Sequence, residues 1–163
     1  MPLNIEIKAR CNQPEQVRNI LLGLGADYRG LDHQIDSYFE IPNGRLKLRQ
    51  GNIENSLIFY NRPNEEGPKP SEVELYHTSD GQALQQVLSA ALHTRVVVDK
   101  NREIYFIHNV KFHIDQVKGL GSFVEIEAID RDGSIGAKKL EEQCNHYLAV
   151  LKIEEADLLS SSY

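Results

Sequence analysis

A chain of 163 residues with 40% hydrophobic and 26% charged residues fits one folded unit with its own core, and this length predicts a single domain over 1–163. A formal net charge of −6 argues against nucleic-acid binding through a generally basic surface, and no apolar run approaches the roughly 18 residues of a membrane span, so neither nucleic acid nor membrane is an expected partner. Two distant cysteines, Cys11 and Cys144, make no disulfide framework, and no secretory pattern opens the chain, which together predict a cytoplasmic protein.

The first element, 3–10, alternates: Asn4, Glu6, Lys8 and Arg10 fall on one face of a strand and Ile5, Ile7 and Ala9 on the other. Asn12 and Glu15 resemble a capping box with Pro14 in the first turn, and Val17, Ile20, Leu21 and Leu24 continue at helical spacing, which predicts a helix over 14–24. Strands follow at 34–40, 44–50, 56–62 and 71–77, broken at Pro42-Asn43-Gly44, at Gly51-Asn52 and in a loop from Pro63 to Pro70. Leu84, Val87, Leu88, Ala91 and Leu92 predict a second helix over 80–92. Strands at 97–106, 109–117 and 122–129 come next, the last two separated by Gly119-Leu120-Gly121. Those glycines read as turn residues and not as a phosphate loop, because no helix follows them. Leu140, Cys144, Tyr147, Leu148 and Leu151 predict a third helix over 134–151, with a short turn at 156–159. Short connections favour antiparallel pairing, so the predicted class is α+β.

The charged faces are unusual in composition. Arg45, Lys47 and Arg49 share one face, as do Lys100 and Arg102; Lys111, His113 and Asp115 share another; Glu72 pairs with Glu74 and Glu125 with Glu127; Arg62 closes its strand. Each row taken alone fits the wet side of a half-buried sheet. Like charges two apart repel, however, unless opposite charge lies between them. If the sheet closes, these rows converge on an interior holding many cations and fewer carboxylates, with the apolar rows turned out against three helices. A triphosphate with a divalent hard cation reconciles such charges, the cation bridging carboxylate to phosphate.

The stretches Asn4-Ile-Glu6-Ile-Lys8, Asp36-Ser-Tyr38-Phe39, Gly44-Arg45-Leu46-Lys47-Leu48-Arg49, Lys100-Asn-Arg102 and Glu125-Ile-Glu127 together resemble the CYTH superfamily of triphosphate tunnel enzymes. That superfamily includes class IV adenylate cyclases and thiamine triphosphatases. The resemblance runs from residue 3 to about 157. It implies an eight-stranded antiparallel tunnel barrel, closed or nearly closed, with flanking helices and bound Mg²⁺ or Mn²⁺. Carried over by position, Glu6, Glu125 and Glu127 are the implied metal ligands, and catalysis falls to them with Lys8 and Asp115. The implied substrate-binding cations are Lys8, Arg10, Arg45, Lys47, Arg49, Arg62, Lys100, Arg102 and Lys111. Glu72 and Glu74 fall inside by parity, where they either take part in the site or only orient neighbouring cations. Two departures stand out: Asn4 replaces the first Glu of Glu-x-Glu-x-Lys, and Tyr60 or Asn61 stands where many relatives place a lysine.

The leading expectation is a class IV-like cyclase turning ATP into cyclic AMP and pyrophosphate, with metal polarising the ribose 3′-hydroxyl and cations holding the leaving group. The alternatives are an inorganic, nucleoside or thiamine triphosphatase in the same tunnel, and a non-catalytic nucleotide or polyphosphate binder. The partner is a small-molecule triphosphate, and the chain acts as monomer or homodimer. His33, His77, His93, His108 and His146 follow no metal spacing, whereas His113 shares a face with Lys111 and Asp115 and is placed for a phosphate contact. Tyr38 and Phe39 either pack or stack on a base.

Overall fold

The computed structural model describes residues 3–61 and 68–160, the side chains of 69–72 excepted. Eight strands form, β1 (Leu3–Arg10), β2 (Asp27–Phe39), β3 (Arg45–Gln50), β4 (Asn55–Asn61), β5 (Lys69–His77), β6 (Thr94–Ile107), β7 (Val110–Val117) and β8 (Gly121–Asp130). Every neighbouring pair is antiparallel, in the order β1-β5-β4-β3-β2-β6-β7-β8, and β1 also pairs with β8, which closes the barrel. Closure leaves no open sheet edge along most of the wall. Where β5 leaves β1 beyond the Glu6–Lys69 pair, the C-terminal segment takes its place: Leu158 bridges Ala9, and the Leu159 amide donates to the Lys8 carbonyl at 2.9 Å.

Three helices flank the barrel, α1 (Pro14–Gly23), α2 (Gly81–Ala91) and α3 (Ala137–Val150). The main core lies outside the barrel. Ile5, Ile7 and Ala9 of β1, Val110, Phe112 and Ile114 of β7, and Val124, Ile126 and Ala128 of β8 meet Val17 and Leu21 of α1 and Leu140 and Cys144 of α3. Each of these is one apolar row of an alternating strand, so β7 and β8 turn their charged rows inward as a geometric consequence. Cys144 fills a gap and its Sγ donates to the Ile5 carbonyl at 3.2 Å; burial pushes the thiol up to about 12. Cys11 is also buried and unpaired in any disulfide.

Three expectations change. The capping box at Asn12 does not form: Gln13 is the N-cap and makes no side-chain cap bond. The apolar rows are covered by α1 and α3, whereas α2 lies against β3 and β2 with no fully buried residue and Val87 exposed. The second strand starts seven residues earlier than expected, at Asp27, because a bulge between Tyr28 and Gly30 lets it continue along β6 past the glycine. Gly119 and Gly121 adopt φ of 82° and 103°, as their turn requires.

Replacing Leu140, which is fully buried between α3 and the barrel, with Ala should cost about 2–5 kcal/mol of stability in urea unfolding. Ligand binding inside the barrel should be unchanged in the fraction that remains folded.

Candidate functional site

The inward rows enclose a tunnel with a cavity of about 390 Å³, within the range of small-molecule sites. Its two walls differ. One carries Glu6, Lys8, Lys47, Arg49, Lys100, Arg102, Lys111, His113, Glu125 and Glu127; the other, from β4 and β5, carries Ser56, Ile58, Tyr60, Val73, Leu75 and His77. Tyr38, Val98, Val117 and Phe123 pack together beyond the charged row, with Leu159 against them, and form an apolar plug at one end.

Cross-strand register sets which charges meet. Asp36 lies opposite Arg49, Arg102 opposite Asp115, Lys8 opposite Glu125 and Lys111 opposite Glu127. The first two pairs are bidentate, with Arg49 donating to both Asp36 oxygens at 2.9 Å and Arg102 to both Asp115 oxygens at 2.8 and 2.7 Å. Lys100 Nζ, one diagonal step away, donates to Asp36 at 2.6 Å. Burial alone would raise the Asp36 carboxyl, but Arg49 and Lys100 outweigh it and hold it well below the usual range. Burial, then Arg102 and Arg49, drive the Lys100 amine well below its ordinary value, the state of a cation packed among cations. Each forked pair fixes a guanidinium plane that a flexible side chain would otherwise sample, and removing one buried partner costs about 3–5 kcal/mol. Lys47 is held differently, its Nζ 5.6 Å from the Tyr38 ring and 5.2 Å from the Tyr60 ring.

On the carboxylate side, Glu6 lies directly opposite Glu127. Burial, reinforced by Glu6, Glu125 and Glu54 against the pull of Lys111, pushes the Glu127 carboxyl up to about 7. Asn4 donates its amide to Glu127 at 3.3 Å, so the residue that departs from Glu-x-Glu-x-Lys steadies an acid. Glu125 is already engaged, by Lys8 at 3.1 Å, Arg102 at 3.2 Å and His113 Nδ1 at 3.3 Å. Among the described residues no three acidic, His or Cys groups converge into a ready metal cage. Two crowded carboxylates still fit a Mg²⁺-type ion, which takes one or two protein carboxylates and completes its shell with water and substrate phosphate.

Two acids of the site escaped the sequence reading. Asp36 was seen only as part of a family stretch, although its place two residues before Tyr38 on one face marked it as inward. Glu54 lies in the β3–β4 turn, where strand parity gives no signal. The buried Asp32 accepts the amides of Ile53 at 2.8 Å and Glu54 at 3.0 Å, and this turns Glu54 into the tunnel. There it accepts from Gln34 at 3.0 Å and Arg49 at 3.4 Å and pairs with Lys111. Gly51 permits the turn, since a Cβ there would lie 2.7 Å from the Asp32 carboxylate. With these acids counted, the interior is a near-balanced ionic network, contrary to the cation-rich cavity expected from the sequence.

Other expectations are also corrected. Ser56, Ile58 and Tyr60 face His77, Leu75 and Val73 across the β4–β5 pair, so Glu74 lies opposite the outward Phe59 and is exposed. Arg10 lies beyond the tunnel, exposed, 5.7 Å from the Phe123 ring, because β1 passes the apolar plug before reaching it. Asp115 is fully buried behind Arg102 and does not line the cavity, so it acts on the site through that guanidinium. Arg45 is half-buried and outside the cavity lining. Phe39 is buried on the outward face, while Tyr38 lines the tunnel; Tyr60, not Asn61, points inward. Arg62 and the side chain of Glu72 lie outside the described residues. His113 is buried beside Glu125, with its Nε2 lacking a hydrogen-bond partner among the described residues.

The CYTH domain model matches residues 2–163. The chain belongs to the CYTH family. Membership places it among enzymes of adenylate cyclase or triphosphatase type, as the resemblance implied. Solved structures agree on the fold. A Pyrococcus horikoshii protein is 24% identical over 98% of this chain and 96% of its own, with a TM-score of 0.81. A Vibrio parahaemolyticus protein proposed to be an adenylate cyclase is 17% identical over 99% and 95%, at 0.79. A proposed adenylyl cyclase from Hippeastrum with a dominant triphosphatase activity is 15% identical over 100% and 92%, at 0.65. No curated protein matches the chain in sequence.

Within this CYTH tunnel two buried groups titrate with opposite sign. Burial, then Arg102 and Lys111, lower His113 from 6.5 to about 3, so the unfolded state binds the extra proton and stability falls as pH drops from 6.5. Glu127 rises from 4.5 to about 7, so stability increases over the same descent, and the two offset each other. In His113→Gln only the second slope remains. The unfolding free energy from urea titrations should then rise as pH falls from 7 to 4.5, by up to about 1.4 kcal/mol per pH unit, while wild type stays nearly flat. Both proteins should lose stability below that, as Asp36, Glu54 and Glu125 protonate.

Proposed function

We propose that this CYTH protein is a metal-dependent enzyme acting on an organic triphosphate inside the tunnel, with conversion of ATP to cyclic AMP and pyrophosphate as the first reading. The observation that carries it is the division of the cavity into a charged wall and a wall without acidic, Lys or Arg side chains on which Ile58, Val73 and Leu75 offer apolar surface. A bare polyphosphate has no use for Ile58, Val73 and Leu75, whereas a nucleotide base and sugar cover them while the phosphates lie on the cations.

Glu6 and Glu127 are the residues that would hold Mg²⁺ or Mn²⁺, which when bound neutralises phosphate charge and polarises an oxygen for attack. Arg49, its plane fixed by Asp36, presents Nη1 to the cavity; Lys47 and Lys111 add point charges beside it, and Arg102 is steadied by Asp115. In cyclisation the 3′-oxygen bonds to the α-phosphorus, the bond from that phosphorus to the bridging oxygen breaks, and pyrophosphate leaves with charge that these cations stabilise. The 3′-hydroxyl proton leaves to solvent. The plug of Tyr38, Val98, Val117 and Phe123 closes the tunnel end beyond the phosphates and excludes water there.

Hydrolysis is the second reading, favoured by the shared fold of the Hippeastrum protein with its triphosphatase activity. Water oxygen then bonds to the γ-phosphorus, the bond from that phosphorus to the β–γ bridging oxygen breaks, the diphosphate leaves and the γ-phosphoryl group becomes orthophosphate, with a water proton passing to solvent and the same cations in place. Incubation with ATP, thiamine triphosphate and tripolyphosphate, each with Mg²⁺ and with Mn²⁺, separates the two. Cyclic AMP with pyrophosphate establishes the first and orthophosphate the second, while metal-dependent binding without turnover establishes a carrier. Glu127→Gln keeps the acceptor for Asn4 and should lower metal-dependent turnover at least about 100-fold with unchanged circular dichroism. An unchanged rate removes Glu127 from the site.

A further inference from the structure

Glu54 is an anion placed by the fold in a position suited to substrate. Its carboxylate pairs with Arg49 and Lys111, two cations of the charged wall, and reaches them from a turn outside the strand lattice. Substantial construction holds it there. Asp32 is fully buried and spends both oxygens on the Ile53 and Glu54 amides and on Gln34, Gln34 in turn donates to Glu54, and Gly51 alone fits against the Asp32 carboxylate. A counter-ion needed only for charge balance would not require a dedicated cradle. Burial would raise this carboxyl, but Lys111 and Arg49 outweigh it and keep it ionised. It therefore stays an anion facing any phosphate that approaches those cations.

We propose that Glu54 occupies an anion position of the tunnel, between Arg49 and Lys111, and thereby limits how many phosphate charges the site accepts. This rests on the reading of the tunnel as a triphosphate site. A phosphate chain lying along Lys8, Lys47, Arg49 and Arg102 meets the carboxylate at the Lys111 end, where a further phosphate would have to face a fixed like charge. The residue sets specificity by repulsion. It favours a chain that ends there, with the organic group toward the neutral wall, over a longer inorganic polyphosphate.

The test is calorimetric binding of tripolyphosphate and tetrapolyphosphate, with Mg²⁺, to the full chain, to Glu54→Gln, and to Glu141→Gln. The last makes the same change in net charge on the exposed face of α3. Glu54→Gln should bind tetrapolyphosphate about tenfold or more tighter than wild type and tripolyphosphate less than tenfold tighter, with Glu141→Gln unchanged; tenfold corresponds to about 1.4 kcal/mol of relieved repulsion. Binding by Glu54→Gln alone, with none by wild type, supports the proposal equally. If wild type binds and Glu54→Gln binds both anions no tighter, Glu54 is a structural counter-ion and this inference falls while the tunnel reading stands. If none of the three proteins binds either anion, this inference falls, and the tunnel reading falls with it when ATP with Mg²⁺ also fails to bind. Asp32→Asn, which loosens the cradle without altering the cavity lining, should shift tetrapolyphosphate affinity in the same direction as Glu54→Gln.

Discussion

Pairing of opposite charges across neighbouring strands inside a closed barrel is the constraint on which the rest depends. A strand that buries Ile5 and Ile7 against α3 must turn Glu6 and Lys8 inward, and closure denies those groups bulk water. The charges survive because register sets Asp36 against Arg49, Arg102 against Asp115 and Lys8 against Glu125. A slip by one residue would put every charged row against the helices and every apolar row in the tunnel, which is why the register is so strongly specified. Such pairs are poor sources of net stability, since desolvation consumes most of the attraction. Their return is positional, in guanidinium planes already oriented before any ligand arrives.

The network is nearly complete without a ligand, and its incompleteness is local. Glu6 and Glu127 face one another across the β1–β8 pair, with Asn4 donating to Glu127, and His113 Nε2 and Gln34 Oε1 are buried without hydrogen-bond partners among the described residues. An orphaned buried polar atom costs about 1–3 kcal/mol, so these mark where a bound cation and oxygen-rich ligand would have most effect. The outer core and the tunnel thus divide the work: apolar packing on α1 and α3 holds the barrel closed, and the interior is left for chemistry.

Much of this was readable from the order of residues. Alternation located all eight strands, the spacing of Leu140, Cys144 and Leu151 located α3, and the like-charge rows raised a closed interior as one way to reconcile their charges, which the family resemblance also implied. What escaped has identifiable causes. Parity along one strand cannot say which face is inward, so Glu74 was misplaced until its pairing beside Phe59 was known. The inward row of a strand also runs past the end of a cavity, which put Arg10 outside. Glu54 sits in a turn, where direction comes from the amides that Asp32 accepts and from no sequence period.

The central claim is that phosphate and metal meet between the cationic row and the Glu6–Glu127 pair. The most direct measurement is a crystal structure with Mn²⁺ and a non-hydrolysable ATP analogue, using manganese anomalous scattering to place the ion. The account predicts a manganese peak within coordination distance of Glu6 and Glu127, the phosphates against Lys47, Arg49 and Arg102, and the base on Ile58, Val73 and Leu75. Manganese and nucleotide on the outer surface, with the ion pairs of the tunnel undisturbed, would contradict it.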